Sequence, residues 1–339
     1  MQSKIEEYIR SMDTFSFIEL ENKVANKITP PELENDVYTY FNDLIDKLTH
    51  DGRVGTAFVY RDARKSLQKF KSKLAFNQIT PEFLREYDAR LKKEQKSIST
   101  IGIYMRHLRA VVNRAIEAGI IDQKNYPFGK NKYQIKAPLN IKKALTLDQI
   151  RKIFDYPVNE GTNQHFARDM WVFSYLCNGM NIKDVISLKF KNIHGDVIYY
   201  DRSKTSNTIQ NPKPIIINLL PQATEIIERW GNKKRRDNDY VFPILTDIID
   251  EVEKKRMKDL LIRSINHFMR RIGKDIGLEK NITTYSARHS FATVLKRTGA
   301  PMEFISEAMG HKSLQTTEAY LESFEDASRR IFMENLIPK

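Results

Sequence analysis

Residues able to do chemistry together crowd the last quarter of the chain, where Tyr285-Ser286-Ala287-Arg288-His289 is followed by Met309-Gly310-His311 and then by Tyr320. An arginine, a histidine and a tyrosine in that order suit attack on a DNA phosphodiester by a tyrosine hydroxyl. The arginine and histidine can stabilise a pentacoordinate phosphorus, and the tyrosine can carry the phosphoryl group covalently with no metal or other cofactor. Each residue alone has a plainer use. A tyrosine in a terminal helix commonly packs half-buried, and a histidine after a glycine can cap a turn. Order and spacing favour the chemistry: 22 residues separate Arg288 from His311, and Tyr320 follows nine residues after His311.

Those groups need a scaffold, and the sequence describes one that is mainly α with a small antiparallel sheet (α+β). Helical periodicity runs through 34–49, 54–74, 81–95 and 98–118, broken at Asp51-Gly52 and at Thr80-Pro81, where proline takes the first helical position. Ser97, Ser99 and Thr100 offer N-caps to the fourth segment. That segment sets Arg106, Arg109 and Arg114 among apolar residues at helical spacing, so one side buries while a basic side can lie on DNA phosphates. Residues 1–31 form an N-terminal extension of mixed charge, and 126–142, rich in lysine with Pro127, Gly129 and Pro138, reads as a linker. Thr146 caps a helix opening the second half. Val197–Tyr200 and Pro214–Ile217 suggest a hairpin across the polar turn at Lys204. Residues from about 219 to 335 are again mostly helical.

Charge is distributed unevenly. The chain carries a net +13, but residues 1–50 hold 5 basic and 10 acidic groups, whereas 51–142 hold 20 basic and 8 acidic. Nearly all the excess lies in that second block, which reads as an electrostatic footprint for nucleic acid. The apolar runs fall short of a membrane span, and the start has no apolar signal region. The single cysteine, Cys177, excludes an intrachain disulfide framework and fits a reducing cytoplasm.

Together these residues resemble the tyrosine recombinases, or phage-type integrases, over nearly the whole chain. Residues 32–125 look like the four-helix, SAM-like core-binding domain, with Ser99-Thr100 through Asn113-Arg114-Ala115 similar to its last helix. Residues 143–339 look like the catalytic domain with a C-terminal tail. The resemblance implies a C-shaped DNA clamp and assigns roles residue by residue. Tyr320 is the nucleophile that forms a 3′-phosphotyrosyl bond. Arg288 and His311 hold the phosphate, His289 supports them, and Lys204, in Arg202-Ser203-Lys204-Thr205, is the general acid. It also implies a homotetramer on two synapsed double-stranded recombination sites, a Holliday-junction intermediate, accessory DNA-bending proteins as possible partners, no cofactor and no membrane association. The expected location is cytoplasmic, on the nucleoid when DNA-bound. The apolar face of the tail (Ala327 to Leu336) docks on a neighbouring subunit or packs back on its own domain.

Two positions depart from the family. Most members carry a first catalytic arginine shortly after a glycine, where this chain reads Gly179-Met180-Asn181. Arg202, Arg168 and Lys183 are the candidate replacements. Arg202 is favoured because the two-residue period of a strand points it to the same side as Lys204. Tyr285 stands where most members have histidine or lysine, and its hydroxyl can still bond a phosphate oxygen. Both substitutions resemble the branch carried by Bacteroides-type mobile elements. The rival expectations are a DNA-binding protein of the same fold that lost its chemistry at Asn181, and a monomeric type IB topoisomerase. The short segment ahead of residue 32 favours a simple recombinase or invertase, or an integrase without arm-site binding.

Overall fold

The structure, a computed structural model, describes residues 35–136, 144–202, 214–279, 281–311, 313–318 and 320–321. The chain divides into two compact units between Leu139 and Asn140. The N-terminal extension, Lys204 and the tail beyond Leu321 lie outside the described residues.

In the first unit the four expected segments are helices α1 (Val37–His50), α2 (Val54–Phe70), α3 (Pro81–Lys93) and α4 (Ile98–Glu117). Local side chains start three of them. Asp36 accepts from the Thr39 amide at 2.9 Å, Thr80 from Phe83 at 3.2 Å just ahead of Pro81, and Ser97 from Thr100 at 3.1 Å. Ser97 is therefore the cap of α4, and Ser99 and Thr100 fall inside the helix. Helix α2 ends four residues short of expectation because Lys71 turns extended. That turn lets Leu74 and Phe76 bury in the common core. On α4, Ile101, Met105, Leu108, Val112 and Ala115 face that core at steps of three and four, leaving Arg106, Arg109 and Arg114 exposed. Burial of about 1.5–3 kcal/mol per large apolar side chain fixes which face turns inward. The stretch read as a linker from residue 126 contributes Phe128 and Tyr133 to the same core. Its aromatic residues outweigh the punctuation supplied by Pro127 and Gly129.

The second unit begins with α5 (Leu147–Phe154), where Thr146 and Gln149 form a reciprocal capping box. Helix α6 (Asn163–Leu176) runs through its centre and buries Met170, Trp171, Val172 and Phe173. It packs against α5, α8 (Pro221–Trp230), α9 (Glu251–Asp275) and α10 (Thr284–Arg297). The expected hairpin is present as β2 (Val197–Tyr200) and β3 (Ile215–Asn218), and a two-residue strand β1 (Ile193–His194) extends it to an antiparallel sheet of order β1-β2-β3. Ile198 pairs with Ile217 and Tyr200 with Ile215, all four turned into the core, while Tyr199 and Ile216 face out. Short helices α7 (Ile182–Val185), α11 (Met302–Ala308) and α12 (Leu314–Glu318) complete the unit.

The start of α10 is pinned from below. Trp171 Nε1 donates to the Thr283 carbonyl at 3.0 Å and to Ser286 Oγ at 3.2 Å, and Asn266 of α9 accepts from the Thr284 amide at 2.8 Å. Trp171→Phe removes the shared donor and leaves a small void. It should lower the unfolding free energy by about 1–3 kcal/mol, read from urea denaturation.

Candidate active site

Tyr285, Arg288 and His289 lie at helical steps of three and four, so α10 presents them on one face. Arg288 is 1 % exposed. Its Nη1 donates to the Gly179 carbonyl at 2.9 Å, and its Nη2 donates to the Met309 carbonyl at 2.5 Å and to His311 Nε2 at 3.0 Å. Because arginine can only donate, His311 Nε2 is the acceptor. The His311 proton then sits on Nδ1, which faces Thr317 Oγ1 at 2.9 Å. Arg288 Nε has no acceptor among the described residues. Burial, then repulsion from Arg202, lowers the Arg288 pKa from its ordinary value.

Tyr320 follows α12 in a turn, its amide donating to the Thr317 carbonyl at 2.9 Å. His289 Nδ1 donates to the Tyr320 carbonyl at 3.1 Å. The rings of His289 and His311 lie 4.8 and 5.0 Å from the Tyr320 ring, and the Arg288 guanidinium carbon lies 5.5 Å from its centroid. The Tyr285 and Tyr320 hydroxyls are hydrogen-bonded to each other. Burial would raise the Tyr320 phenol, but the bond from Tyr285 and the charges of Arg288 and Arg202 outweigh it, so the net direction is down. Tyr285 moves the other way, raised by burial and by its bond to Tyr320.

The close packing needs two glycines. Gly179 has φ +63°, and a Cβ there would stand 2.8 Å from Arg288 Cα; Gly310 has φ +61°, and a Cβ there would stand 2.3 Å from Ile215 Cδ1. Ile198, Tyr200 and Arg202 share one strand parity. The first two are buried, and Arg202 Cδ comes near Gly310. Arg202 acts electrostatically on Tyr285, Arg288 and Tyr320 alike.

The other two replacements considered for the missing arginine are committed elsewhere. Arg168 binds Asp169 through Nε at 3.1 Å and Nη2 at 2.9 Å, and the Tyr156 carbonyl through Nη1. Asp169 is buried and also receives Arg229, Trp230 and His165, so Arg168 belongs to a structural cluster. Lys183 pairs with Asp259 at 3.2 Å. The hydroxyl of Tyr285, by sequence able to bond a phosphate oxygen, is hydrogen-bonded to the Tyr320 hydroxyl. Ser99, Thr100, Arg106, Arg109 and Arg114 belong to the first unit and are not part of this cluster. Sequence reasoning missed Thr317, and it missed a basic groove where His267, Arg270, Arg271 and Lys274 of α9 meet Leu278 and Asn281. The spacing of those four basic residues, steps of three, one and three, was the available signal.

Comparison with known proteins adds a second line of observation. Residues 143–326 match the phage integrase family, and residues 36–135 match the phage integrase SAM-like domain. The tyrosine recombinase XerA of Pyrococcus horikoshii is 26 % identical over 309 residues, covering 90 % of this chain and 86 % of that protein. The tyrosine recombinase XerD of Listeria monocytogenes is 25 % identical over 240 residues, 68 % of this chain and 73 % of the relative. Among solved structures, the Tn1549 transposon integrase in complex with a circular intermediate DNA shares the fold. Its TM-score is 0.63 and its identity 18 %, covering 89 % of this chain and 99 % of that one. The lambda integrase tetramer bound to a Holliday junction has TM-score 0.61 and 14 % identity, over 93 % and 89 % of the two chains.

Neighbouring substitutions should separate scaffold from spectator. Gly179→Ala places a side chain in left-handed backbone and against Arg288, and should cost about 2 kcal/mol or more. Asn181 caps α7 without a side-chain bond, so Asn181→Ala should stay within about 0.5 kcal/mol in the same urea titration.

Proposed function

The chain belongs to the phage integrase family, the tyrosine recombinases, and on that premise we propose that Tyr320 is its nucleophile. As a member of the family the protein is a site-specific DNA recombinase. The observation that carries the assignment is the convergence of Arg288, His289, His311 and Tyr285 on the ring and hydroxyl of Tyr320.

In the proposed reaction Tyr320 Oη attacks the phosphorus and the bond to the 5′ oxygen breaks. A 3′-phosphotyrosyl linkage and a 5′-hydroxyl result. The linkage conserves the phosphodiester energy, so rejoining needs no ATP. Arg288 binds the non-bridging oxygens, its Nε being a donor with no acceptor among the described residues. His311, once protonated, donates to the same phosphate. Arg202 supplies the second cation that Asn181 cannot, and Lys204 protonates the leaving 5′ oxygen. A DNA-binding protein without chemistry fits less well, because it leaves this convergence unexplained.

The first unit contributes a sequence-independent hold. The solvent-facing Arg106, Arg109 and Arg114, with Ser99 and Thr100 at the start of α4, are proposed to contact phosphates. In this division residues 32–125, with Phe128 and Tyr133 packed into the same core, bind the core site, the rest of 126–142 links, and 143–339 catalyse. A homotetramer on two synapsed duplexes is the proposed working form, supported by fold likeness to the lambda integrase tetramer on a Holliday junction. The same reading has the protein in the cytoplasm and on the nucleoid when bound; no helix among the described residues is long and apolar enough to cross a membrane. Accessory DNA-bending proteins and the Bacteroides mobile-element branch belong to this proposal too, the branch on the wording at Gly179–Asn181 and Tyr285–His289.

A nicked suicide duplex, incubated without metal or ATP, tests the assignment. Wild type should form a protein–DNA adduct, and Tyr320→Phe should lose it while still binding DNA; an adduct surviving in the variant refutes the nucleophile. Arg202→Ala should slow adduct formation at least about 100-fold, as for one lost transition-state donor. A loss below about threefold would remove Arg202 from the reaction.

A further inference from the structure

We infer that Tyr285 is a catalytic partner of the nucleophile. Its hydroxyl donates to Tyr320 Oη and stabilises the phenolate both as it attacks in cleavage and as it leaves in rejoining. The inference rests on Tyr320 being the nucleophile and adds a role for the residue that replaces the usual histidine or lysine.

Geometry carries the argument. The two hydroxyls are bonded, and the two rings are 5.6 Å apart, tilted by 48°. Tyr285 stands on the second residue of α10, whose start is held by Trp171 and Asn266, and its ring meets His289 edge-on at 5.0 Å. It is therefore a donor on a rigid element, facing a nucleophile that sits in a turn. A phenol has one proton. Spent on Tyr320, it is not available to a phosphate oxygen.

The direction of the bond in the reacting state follows from the ionisation of Tyr320. Tyr320 is faced by Arg288 and His289 on α10, by His311 after α11 and by Arg202 after β2. Arg288 and Arg202 act on both hydroxyls, and in the neutral pair either one can donate. Once Tyr320 has ionised, its oxygen holds no proton, so Tyr285 donates and Tyr320 accepts.

The steps balance without another reactant. Tyr320 releases its proton to solvent, and Tyr285 bonds the resulting phenolate. The Oη–phosphorus bond forms as the bond to the 5′ oxygen breaks, and that oxygen takes the proton of the general acid. Esterified, Tyr320 Oη carries no charge and the Tyr285 bond weakens. Rejoining runs the sequence backward, with the same donor stabilising the departing phenolate.

Tyr285→Phe deletes the hydroxyl and keeps the ring. Single-turnover cleavage of the nicked duplex would be followed from about pH 6 to about pH 10. In parallel, the Tyr320 phenolate would be titrated by ultraviolet absorption in the DNA-free enzyme. With 15 tyrosines in the chain, its signal is taken as the difference from Tyr320→Phe. The expected result is a Tyr320 midpoint raised by about one pH unit or more. Cleavage should be slower by roughly tenfold or more at neutral pH, the gap closing at the alkaline end where Tyr320 ionises unaided. Tyr285→His, which restores a donor, should recover part of the loss. An unmoved midpoint, or a loss uniform across pH, overturns the inference and returns Tyr285 to a phosphate contact or a packing role. A midpoint that moves in an enzyme forming no adduct upholds the phenol pair and counts against the recombinase chemistry instead.

Discussion

A buried positive charge organises the second unit. Arg288 at 1 % exposure forfeits hydration worth several kcal/mol, and its hydrogen-bond partners include two main-chain carbonyls, His311 and Tyr320. Charge-assisted bonds to carbonyls offset dehydration without cancelling the charge. Arg202 nearby adds repulsion, which together with burial pulls Arg288 below its ordinary range. An anion brought close to both arginines would offset that repulsion, and in the proposed reaction the phosphodiester is that anion.

Holding that guanidinium requires three stretches of backbone to approach α10 closely. The turn after α6 delivers the Gly179 carbonyl, the turn after α11 delivers the Met309 carbonyl, and β3 packs beneath Gly310. Both turns run through left-handed glycines where a Cβ would collide with Arg288 or Ile215. Trp171, in the centre of the core, sets the height of α10 from the other side. The geometry of this cluster is therefore a product of core packing: the same apolar burial that stabilises α6 fixes where Arg288, His289 and Tyr285 stand. Tyr320 is held by its carbonyl to His289, by its hydroxyl to Tyr285 and through Thr317 to His311.

Much of this was legible in the sequence because it is written in local signals. The four helices of the first unit follow from apolar spacing and from Asp36, Thr80 and Ser97, each placed where an orphan amide needs an acceptor. Arg288, His311 and Tyr320 were legible as a set because their spacing repeats a family pattern. Other features depend on contacts remote in sequence and could not be read. The shortening of α2 at Lys71 answers a need to bury Leu74 and Phe76. The packing of Phe128 and Tyr133 overrides lysine-rich, proline-punctuated composition. Strand parity favours Arg202 over Arg168 and Lys183, but that Asp169 and Asp259 hold the latter two could not be read. The bond between Tyr285 and Tyr320 joins residues 35 apart and has no sequence signature.

The two departures from the family, at Asn181 and Tyr285, make electrostatic sense together. In the proposed reading Arg202, which shares the parity of the buried Ile198 and Tyr200 and acts electrostatically on Arg288, replaces the cation missing at 181. A third cation at 285 would then sit beside two arginines that already repel each other, one of them buried, and like charges so placed disfavour one another's charged forms. A phenol at 285 avoids that repulsion and still offers a hydrogen-bond donor. Its neutrality also leaves both arginines free to favour the phenolate of Tyr320. With Arg202 in the role proposed for it, a neutral hydroxyl at 285 adds a donor beside the two arginines without adding to their repulsion.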